Sequence, residues 1–142
     1  LRTTVIVGFP GESDEDFAEL LEFVKWAQFD ALGAFTFFPE AGTPAAGFPD
    51  QVPDDVKQDR LDALMLAQQE IAFAKNRARV GSRVTCLIDS VEPQGVGYGR
   101  FYGQAPDIDG VCIVTNCTAA PGGWAEGTVV GTRDYDLLVE QI

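Results

Sequence analysis

Apolar and polar residues alternate along the first third of the chain in patterns that predict a strand, a helix and a second strand. Thr3–Val7 is β-branched and almost continuously apolar, as in a parallel strand that is buried on both faces. From about residue 14 to residue 28, apolar residues recur every three or four positions, which predicts an amphipathic helix. Ser13 and Asp16 suit a capping box at its start. With a further strand at 31–38, we predict a parallel β-α-β unit with a right-handed crossover.

The pattern changes twice more along the chain. A Pro-rich connector at 47–53 leads into a long helix, predicted from residue 54 to about residue 79 and ended by Gly81. Beyond it, Gly-rich turns separate short runs with strand character. We predict strands at 83–90, 96–102, 110–116, 128–133 and 135–141, and five such strands suit a small closed or nearly closed barrel of the OB-like kind. The predicted fold class is therefore α/β plus all-β, with one domain over 1–81 and a second over 82–142.

Composition narrows the class of protein. The 142 residues are 46% hydrophobic with a mean hydropathy of +0.01, as expected of a globular chain. No apolar run reaches the roughly 18 residues of a membrane span, and no signal peptide is recognisable. The chain starts at Leu1, directly before a strand, so we expect it to be a piece of a longer protein.

Cysteine and histidine usage bears on chemistry and compartment. The three cysteines, in a chain without a secretion signal, indicate reduced thiols and a cytoplasmic location. Cys86 and Cys112 lie among Val, Leu and Ile, so we expect them to be buried, and we expect Cys117 to be exposed. No histidine is present to complete a zinc site or a Ser-His or Cys-His pair. We therefore predict neither a metal site nor a catalytic set in these residues.

Charge indicates the kind of partner. The net charge is −12 and the isoelectric point is about 4.1. From residue 82 onward, three arginines stand against eight acidic residues. Long-range repulsion from phosphates disfavours nucleic acid, so a basic partner is the better prediction. Acidity that only confers solubility remains an alternative.

The most specific stretch is the loop at 99–110. It ends a predicted strand, crosses a turn that contains Pro106 and presents Asp107 and Asp109 before the next strand. Composition alone is typical of a solvated hairpin loop. However, the spacing of Arg100, Tyr102, Ala105, Pro106, Ile108, Asp109 and Gly110 resembles a loop in the C-terminal domain of the radical S-adenosylmethionine (SAM) methylthiotransferases, in the branch that modifies an aspartate of a small-subunit ribosomal protein.

Two further regions carry the same resemblance. Residues 6–12 contain the motif Gly-Phe-Pro-Gly, and residues 39–45 contain the motif Gly-Thr-Pro-Ala. Together, in this order, the two segments resemble the last third of the radical SAM barrel, which is a TIM-type barrel. The short strands after residue 82 resemble the TRAM domain that follows that barrel in methylthiotransferases. The resemblance therefore covers essentially the whole chain.

The resemblance implies a cofactor site. It places Ile6 against the adenine of SAM and Gly8 in the same motif, and it lets backbone near Phe37 and Phe38 read the edge of the base. An ordinary tight turn at Gly8 and a core role for the aromatic residues are the competing interpretations. The family also uses two 4Fe-4S clusters held by cysteines that these residues lack, so we expect this chain to hold no cofactor alone and to be inactive alone.

For function, the resemblance implies β-methylthiolation of an aspartate on a basic ribosomal protein. In that interpretation the TRAM domain docks the substrate through Arg100, Tyr102, Asp107 and Asp109. Two alternatives stay open: a relative that modifies tRNA, and a non-enzymatic interaction module. Exposed edges of a partial barrel also predict self-association.

Overall fold

A computed structural model describes all 142 residues as two compact units, Leu1–Ala72 and Phe73–Ile142. The division falls inside the long helix Asp54–Ala78. The domain boundary predicted from the sequence lies after that helix, at residue 81, and it stays a prediction. The elements are, in order, β1 (Arg2–Val7), α1 (Asp14–Ala27), β2 (Ala31–Thr36), a short 3-10 helix (Pro44–Gly47), α2 (Asp54–Ala78), β3 (Arg83–Val91), β4 (Gly97–Arg100), β5 (Cys112–Thr115), β6 (Trp124–Arg133) and β7 (Asp136–Gln141).

The first unit contains the predicted β-α-β arrangement. β1 and β2 pair in parallel, with Arg2 opposite Ala31 at one end and Val7 opposite Thr36 at the other. The capping box forms at the start of α1: Asp16 N–H donates to Ser13 Oγ at 3.1 Å, and Ser13 N–H donates to Asp16 Oδ2 at 2.9 Å. The core of the unit is built on Val7, Val24, Leu32, Leu64 and Ile71.

One face of the two-stranded sheet is open within this chain. Val7 and Leu32 point into the core, whereas Ile6 on β1 and Phe35 on β2 lie on the opposite face and are exposed. Side chains of successive strand residues point to opposite faces, so in both strands one alternate set of side chains faces the core and the other set faces away from it. The prediction that the first strand is buried on both faces is wrong for this chain, because nothing in it covers the second face.

The second unit is a closed barrel with the strand order β3-β4-β5-β7-β6. β5 and β7 pair in parallel, and every other pair is antiparallel. Its interior is lined by Cys86, Ile88, Phe101, Cys112, Val114, Cys117, Ala125, Val129, Leu137 and Val139. The predicted fold class, an α/β part followed by a five-stranded OB-like barrel, is confirmed.

Two predictions in the barrel need correction. β6 starts at Trp124, earlier than the predicted residue 128, because it pairs with β3 from Trp124 opposite Leu87 onward. This longer strand includes Gly127. A glycine is needed at that position because a Cβ there would lie 2.5 Å from Cγ1 of Val139, too close for any side chain. Cys117 is buried, not exposed, and it packs against the strand that contains Gly97.

Neither helix combines the length and the apolarity needed to cross a membrane.

Candidate functional site

Hydrogen bonds fix the loop between β4 and β5 at both ends. The side-chain oxygen Oε1 of Gln104 accepts from Phe101 N–H at 3.1 Å and from the Cys112 thiol at 3.2 Å. Oδ2 of Asp109 accepts from Ala105 N–H at 2.6 Å. At the end of the loop, a Cβ on Gly110 would lie 2.3 Å from the carbonyl oxygen of Tyr135, so only glycine fits there. The loop is therefore tied to the barrel rather than free in solvent.

This fixed loop presents three side chains to solvent. Tyr102 is 96% exposed and Ile108 is 79% exposed, and the exposed Asp107 adopts a left-handed backbone conformation with φ of 63°. An aromatic ring, an aliphatic group and a carboxylate thus stand on one short loop. Ile108 is a contact candidate that was not predicted from the sequence, although a large apolar side chain in a loop rich in Gly, Pro and Asp was the available signal.

The other two predicted docking residues have partners within the barrel. The guanidinium of Arg100 pairs with Asp89, with Nε to Oδ2 at 3.3 Å and Nη2 to Oδ1 at 3.2 Å. Asp109 uses its carboxylate to close the loop, as described above. Of the four predicted residues, Tyr102 and Asp107 therefore face outward, whereas Arg100 and Asp109 hold local structure.

The carboxyl end of β1 and β2 carries the predicted cofactor residues. Ile6 and Phe35 are opposite each other in the register, and they are 55% and 62% exposed, so they form an open apolar surface. Phe38 is 74% exposed just beyond β2. Sequence reasoning missed Phe35, because it is the parallel register that brings it beside Ile6.

Gly8 and Phe37 lie on the other side of this sheet end, against Lys57 of α2. A Cβ on Gly8, whose φ is 74°, would lie 2.3 Å from Cγ of Lys57, so the aliphatic stem of the lysine requires glycine here. Phe37 packs edge-on against Phe9 at 5.1 Å between ring centroids, and Nζ of Lys57 lies 5.8 Å from the Phe37 ring. Packing within the protein accounts for both residues.

Arg60 of α2 holds the turn that follows β1. Its guanidinium donates to Oε1 of Glu12 and to Oδ1 of Asp14, both at 2.7 Å, and Oε1 of Glu12 also accepts from Gly8 N–H at 2.9 Å. Desolvation opposes the charge on Arg60, but its hydrogen bonds to Asp14 and Glu12 outweigh that cost, so the pKa of Arg60 is raised. The sequence did not reveal this pairing because α2 and the turn are distant along the chain.

A shallow cavity of about 360 Å³ opens between the end of β2 and the start of α2. It is lined by Thr36, Phe37, Phe38, Pro39, Asp54, Lys57 and Gln58. The one cation in the lining, Lys57, is buried, with Nζ 3.1 Å from Oδ1 of Asp54. The cavity thus combines an aromatic wall with a neutralised charge.

The cysteines do not suit an iron–sulfur cluster. Cys86 and Cys112 are fully buried in the barrel interior and Cys117 is nearly so, and no group of three His, Cys, Asp or Glu side chains is placed to hold a metal ion. The hydrogen bond with Cys86, together with burial, raises the pKa of the Cys112 thiol. A cluster is held by several convergent Cys thiolates, and no such group is present, so we assign the three thiols to packing of the barrel.

Comparison with known proteins covers the whole chain. Residues 80–142 match the TRAM domain family. The ribosomal protein uS12 methylthiotransferase RimO of Syntrophomonas wolfei is 45% identical over 141 residues, which is 99% of this chain and 32% of that protein. RimO of Pelotomaculum thermopropionicum is 46% identical over 145 residues, with 100% of this chain and 33% of that protein covered. RimO of Vibrio cholerae is 45% identical over 138 residues, with 96% and 29% covered.

A solved structure, the apo form of Mycoplasma genitalium RNase R, aligns with 63% of this chain and 17% of its own, with a TM-score of 0.37 and 11% identity. That likeness is too low to bear on fold or function. The chain spans about one third of the length of the curated relatives it matches. The identity to RimO proteins extends over both units, and together with the TRAM domain in the second it supports the assignment of this chain as part of a RimO-type protein.

Proposed function

We propose that this chain is part of a ribosomal protein methylthiotransferase that adds a methylthio group to the β-carbon of an aspartate on uS12, and that its barrel docks this substrate. The observation that carries the proposal is the identity to proteins named as uS12 methylthiotransferases over nearly the entire chain. An acidic barrel with a fixed, outward-facing loop supports the docking role.

Charge favours a protein substrate over RNA. The barrel contains only three arginines and no lysine against eight acidic residues, and one of the arginines, Arg100, is neutralised by Asp89. Binding of a phosphate backbone depends on cations that displace counterions, and this barrel offers few. A basic ribosomal protein is favoured instead, since its positive surface is attracted to the acidic barrel at long range.

The loop supplies short-range contacts for that docking. Tyr102 and Ile108 offer apolar area that would be buried against a partner, and Asp107 offers a carboxylate at the same tip. Aromatic residues at the centre of an interface carry a large share of its binding energy. We therefore assign Tyr102 and Asp107 to contact with the substrate, and Arg100 and Asp109 to support of the loop.

The open face of β1 and β2 fits a role in holding SAM. Ile6 provides an exposed apolar surface for the adenine, with Phe35 beside it, and Phe38 lies exposed at the end of the second strand. The other two predicted residues, Gly8 and Phe37, pack against Lys57 on the other side of the sheet end, so we assign them to support of this proposed site. When bound, SAM supplies both the radical source and the methyl group. We propose that the 4Fe-4S clusters of the complete cytoplasmic enzyme are held by residues outside this chain.

Binding of the chain to two purified probes tests the docking role. Fluorescence anisotropy of labelled uS12 and, separately, of a labelled tRNA anticodon stem-loop would be followed during titration with the chain, at low and moderate salt. We expect saturable binding of uS12 that weakens as salt rises, and no comparable binding of the stem-loop. Binding of the RNA alone would overturn the proposal in favour of a tRNA-modifying protein.

A matched pair of aspartates sharpens the titration. Asp107 and Asp134 are both exposed residues of the barrel in a left-handed conformation, with φ of 63° and 52°, which Asn tolerates. Asp107→Asn should weaken uS12 binding several-fold, whereas Asp134→Asn should leave it nearly unchanged. Equal effects of the two substitutions would mean that the loop has no specific part in docking.

A further inference from the structure

A second surface of the barrel carries an exposed tryptophan. In the register of three adjacent strands, Trp124 of β6 is opposite Leu87 of β3, and Leu87 is opposite Arg100 of β4. Residues that are opposite each other in neighbouring strands share one face of the sheet, so these three side chains form a row on the outside of the barrel. Trp124 is 67% exposed.

Glycines on the inner side of β4 explain why this row faces outward. Gly97 and Gly99 are buried, and Cβ atoms on them would lie 2.6 Å from Sγ of Cys117 and 2.3 Å from the carbonyl oxygen of Leu87. The interior therefore accepts no side chain from these positions. The alternate residues of the strand, Tyr98 and Arg100, are the ones that carry large side chains, and they point outward.

Carboxylates lie on the same surface as the tryptophan, and one of them lines a hollow. Glu126 is two residues beyond Trp124 on the same face of β6 and is exposed. Asp89 neutralises Arg100 at the other end of the row. Glu126 also lines a hollow of about 200 Å³, together with Arg83, Val84, Thr85 and Ile142. The row thus combines an aromatic plane, a carboxylate and a recess for a long side chain.

We infer that this surface, the Trp124 face (Trp124, Leu87 and Glu126, bordered by the Arg100–Asp89 pair), docks an arginine- or lysine-rich segment of the protein substrate, with a cationic side chain of that segment stacked on the indole. The inference rests on the proposed docking function and extends it from the loop to the adjoining strands. Cations are attracted to the face of an indole ring, and the carboxylate of Glu126 stands within the same face to receive the charge. The acidic balance of the barrel favours a cationic peptide over a phosphate backbone as the occupant.

The two tryptophans of the chain provide a matched test. Trp26, in α1 of the first unit, is 80% exposed and serves as the control for Trp124. In the anisotropy titration with labelled uS12, Trp124→Ala should raise the dissociation constant about tenfold, as expected when an interface loses an aromatic anchor. Trp26→Ala should leave it unchanged. The thermal midpoint of each variant confirms that both remain folded.

Glu126→Gln provides a second variant that removes charge without removing bulk, and we expect it to weaken uS12 binding several-fold. The salt dependence separates the two contributions: Glu126→Gln should flatten it, whereas Trp124→Ala should lower affinity at every salt concentration by a similar factor. Binding by the unaltered chain with no effect of either variant would overturn this inference alone. Failure of the unaltered chain to bind uS12 would overturn the docking function as well, and tighter binding of single-stranded RNA than of uS12 would assign the surface to nucleic acid.

Discussion

The two units of this chain reach stability in different ways. The barrel closes on itself, so every strand has two neighbours and the interior is almost entirely apolar. The β-α-β unit has only two strands, each with an unpaired edge, and one face of its sheet exposes Ile6 and Phe35. Closure removes strand edges, so the barrel satisfies its own backbone, whereas the first unit leaves apolar surface for something else to cover.

The difference also separates two kinds of surface. In the barrel, large side chains such as Tyr102 and Trp124 stand out from a structure that is complete without them, which is the usual property of a docking surface. In the first unit, the exposed residues are the second face of the sheet itself. Under the proposed function, the same degree of exposure serves partner binding in one unit and a ligand or a further layer of structure in the other.

The largest expected effect is a loss of barrel stability when an interior side chain is truncated. Leu137 is fully buried in its interior, so Leu137→Ala should lower the free energy of unfolding by about 3 kcal/mol. All three cysteines belong to the barrel and are buried, which makes their reaction with a thiol reagent in increasing denaturant a selective measure of barrel opening. Leu138→Ala, at the neighbouring half-buried position, is the control and should have a much smaller effect. Equal effects would contradict the assigned interior.

A charge deletion should loosen the first unit. Arg60 is buried and holds the turn after β1 through Glu12 and Asp14. Arg60→Met should lower the free energy of unfolding of this unit by about 2 kcal/mol, less than for a fully buried pair because Asp14 is exposed. Fluorescence of Trp26, measured in a variant that also carries Trp124→Phe, follows the unfolding of this unit. The exposed Lys25→Met provides the control, and a loss of barrel stability instead would refute the assignment.

The open sheet predicts association between copies of the chain. Two unpaired edges and the exposed Ile6 and Phe35 favour contact with another molecule at high concentration. Light scattering should therefore give an average mass above that of the monomer, and Phe35→Lys should reduce it. A substitution on the barrel, Val130→Lys, should not. A monomer at every concentration would show that the open face is not adhesive.

The smallest expected effect concerns pH and the start of α1. Hydrogen bonds from the backbone and the hydroxyl of Ser13 lower the pKa of Asp16 below its ordinary value of 3.8. A carboxylate with a lowered pKa in the folded state stabilises the fold above that ordinary value, and the contribution is lost as pH falls through the lowered pKa. Asp16→Asn should therefore reduce the thermal midpoint slightly at pH 6, and the difference should shrink as pH falls below 3.8. A difference that stays constant as pH falls would contradict the charge-based explanation.

The sequence predicted those parts of the fold that local patterns encode. Apolar periodicity and the Ser13–Asp16 pair were sufficient for α1, and alternating residues with Gly-rich turns were sufficient for the closed barrel. The start of β6 at Trp124 was missed, since its strand character comes from pairing with Leu87 rather than from local propensity. The burial of Cys117 was missed for a similar reason, because it depends on the space that Gly97 leaves across the barrel.

The residues of the candidate sites also fall into those that local sequence reveals and those that only tertiary structure reveals. Tyr102 and Asp107 could be chosen from the loop sequence because exposure at a loop tip is a local property. Phe35 beside Ile6, Arg60 beside Glu12 and Trp124 beside Leu87 are all products of register or of helix packing, and no spacing along the chain reveals them. Residues brought together by tertiary structure therefore account for what the sequence left out.

The most direct test of the docking role is an NMR titration of nitrogen-15-labelled chain with unlabelled uS12. We predict chemical-shift changes at the backbone amides of Tyr102, Asp107 and Ile108 and at the indole N–H of Trp124, with the amides of β1 and the indole N–H of Trp26 unchanged. Changes confined to the first unit, or no change at any concentration of uS12, would contradict the assignment of the barrel as the substrate-docking part of the molecule.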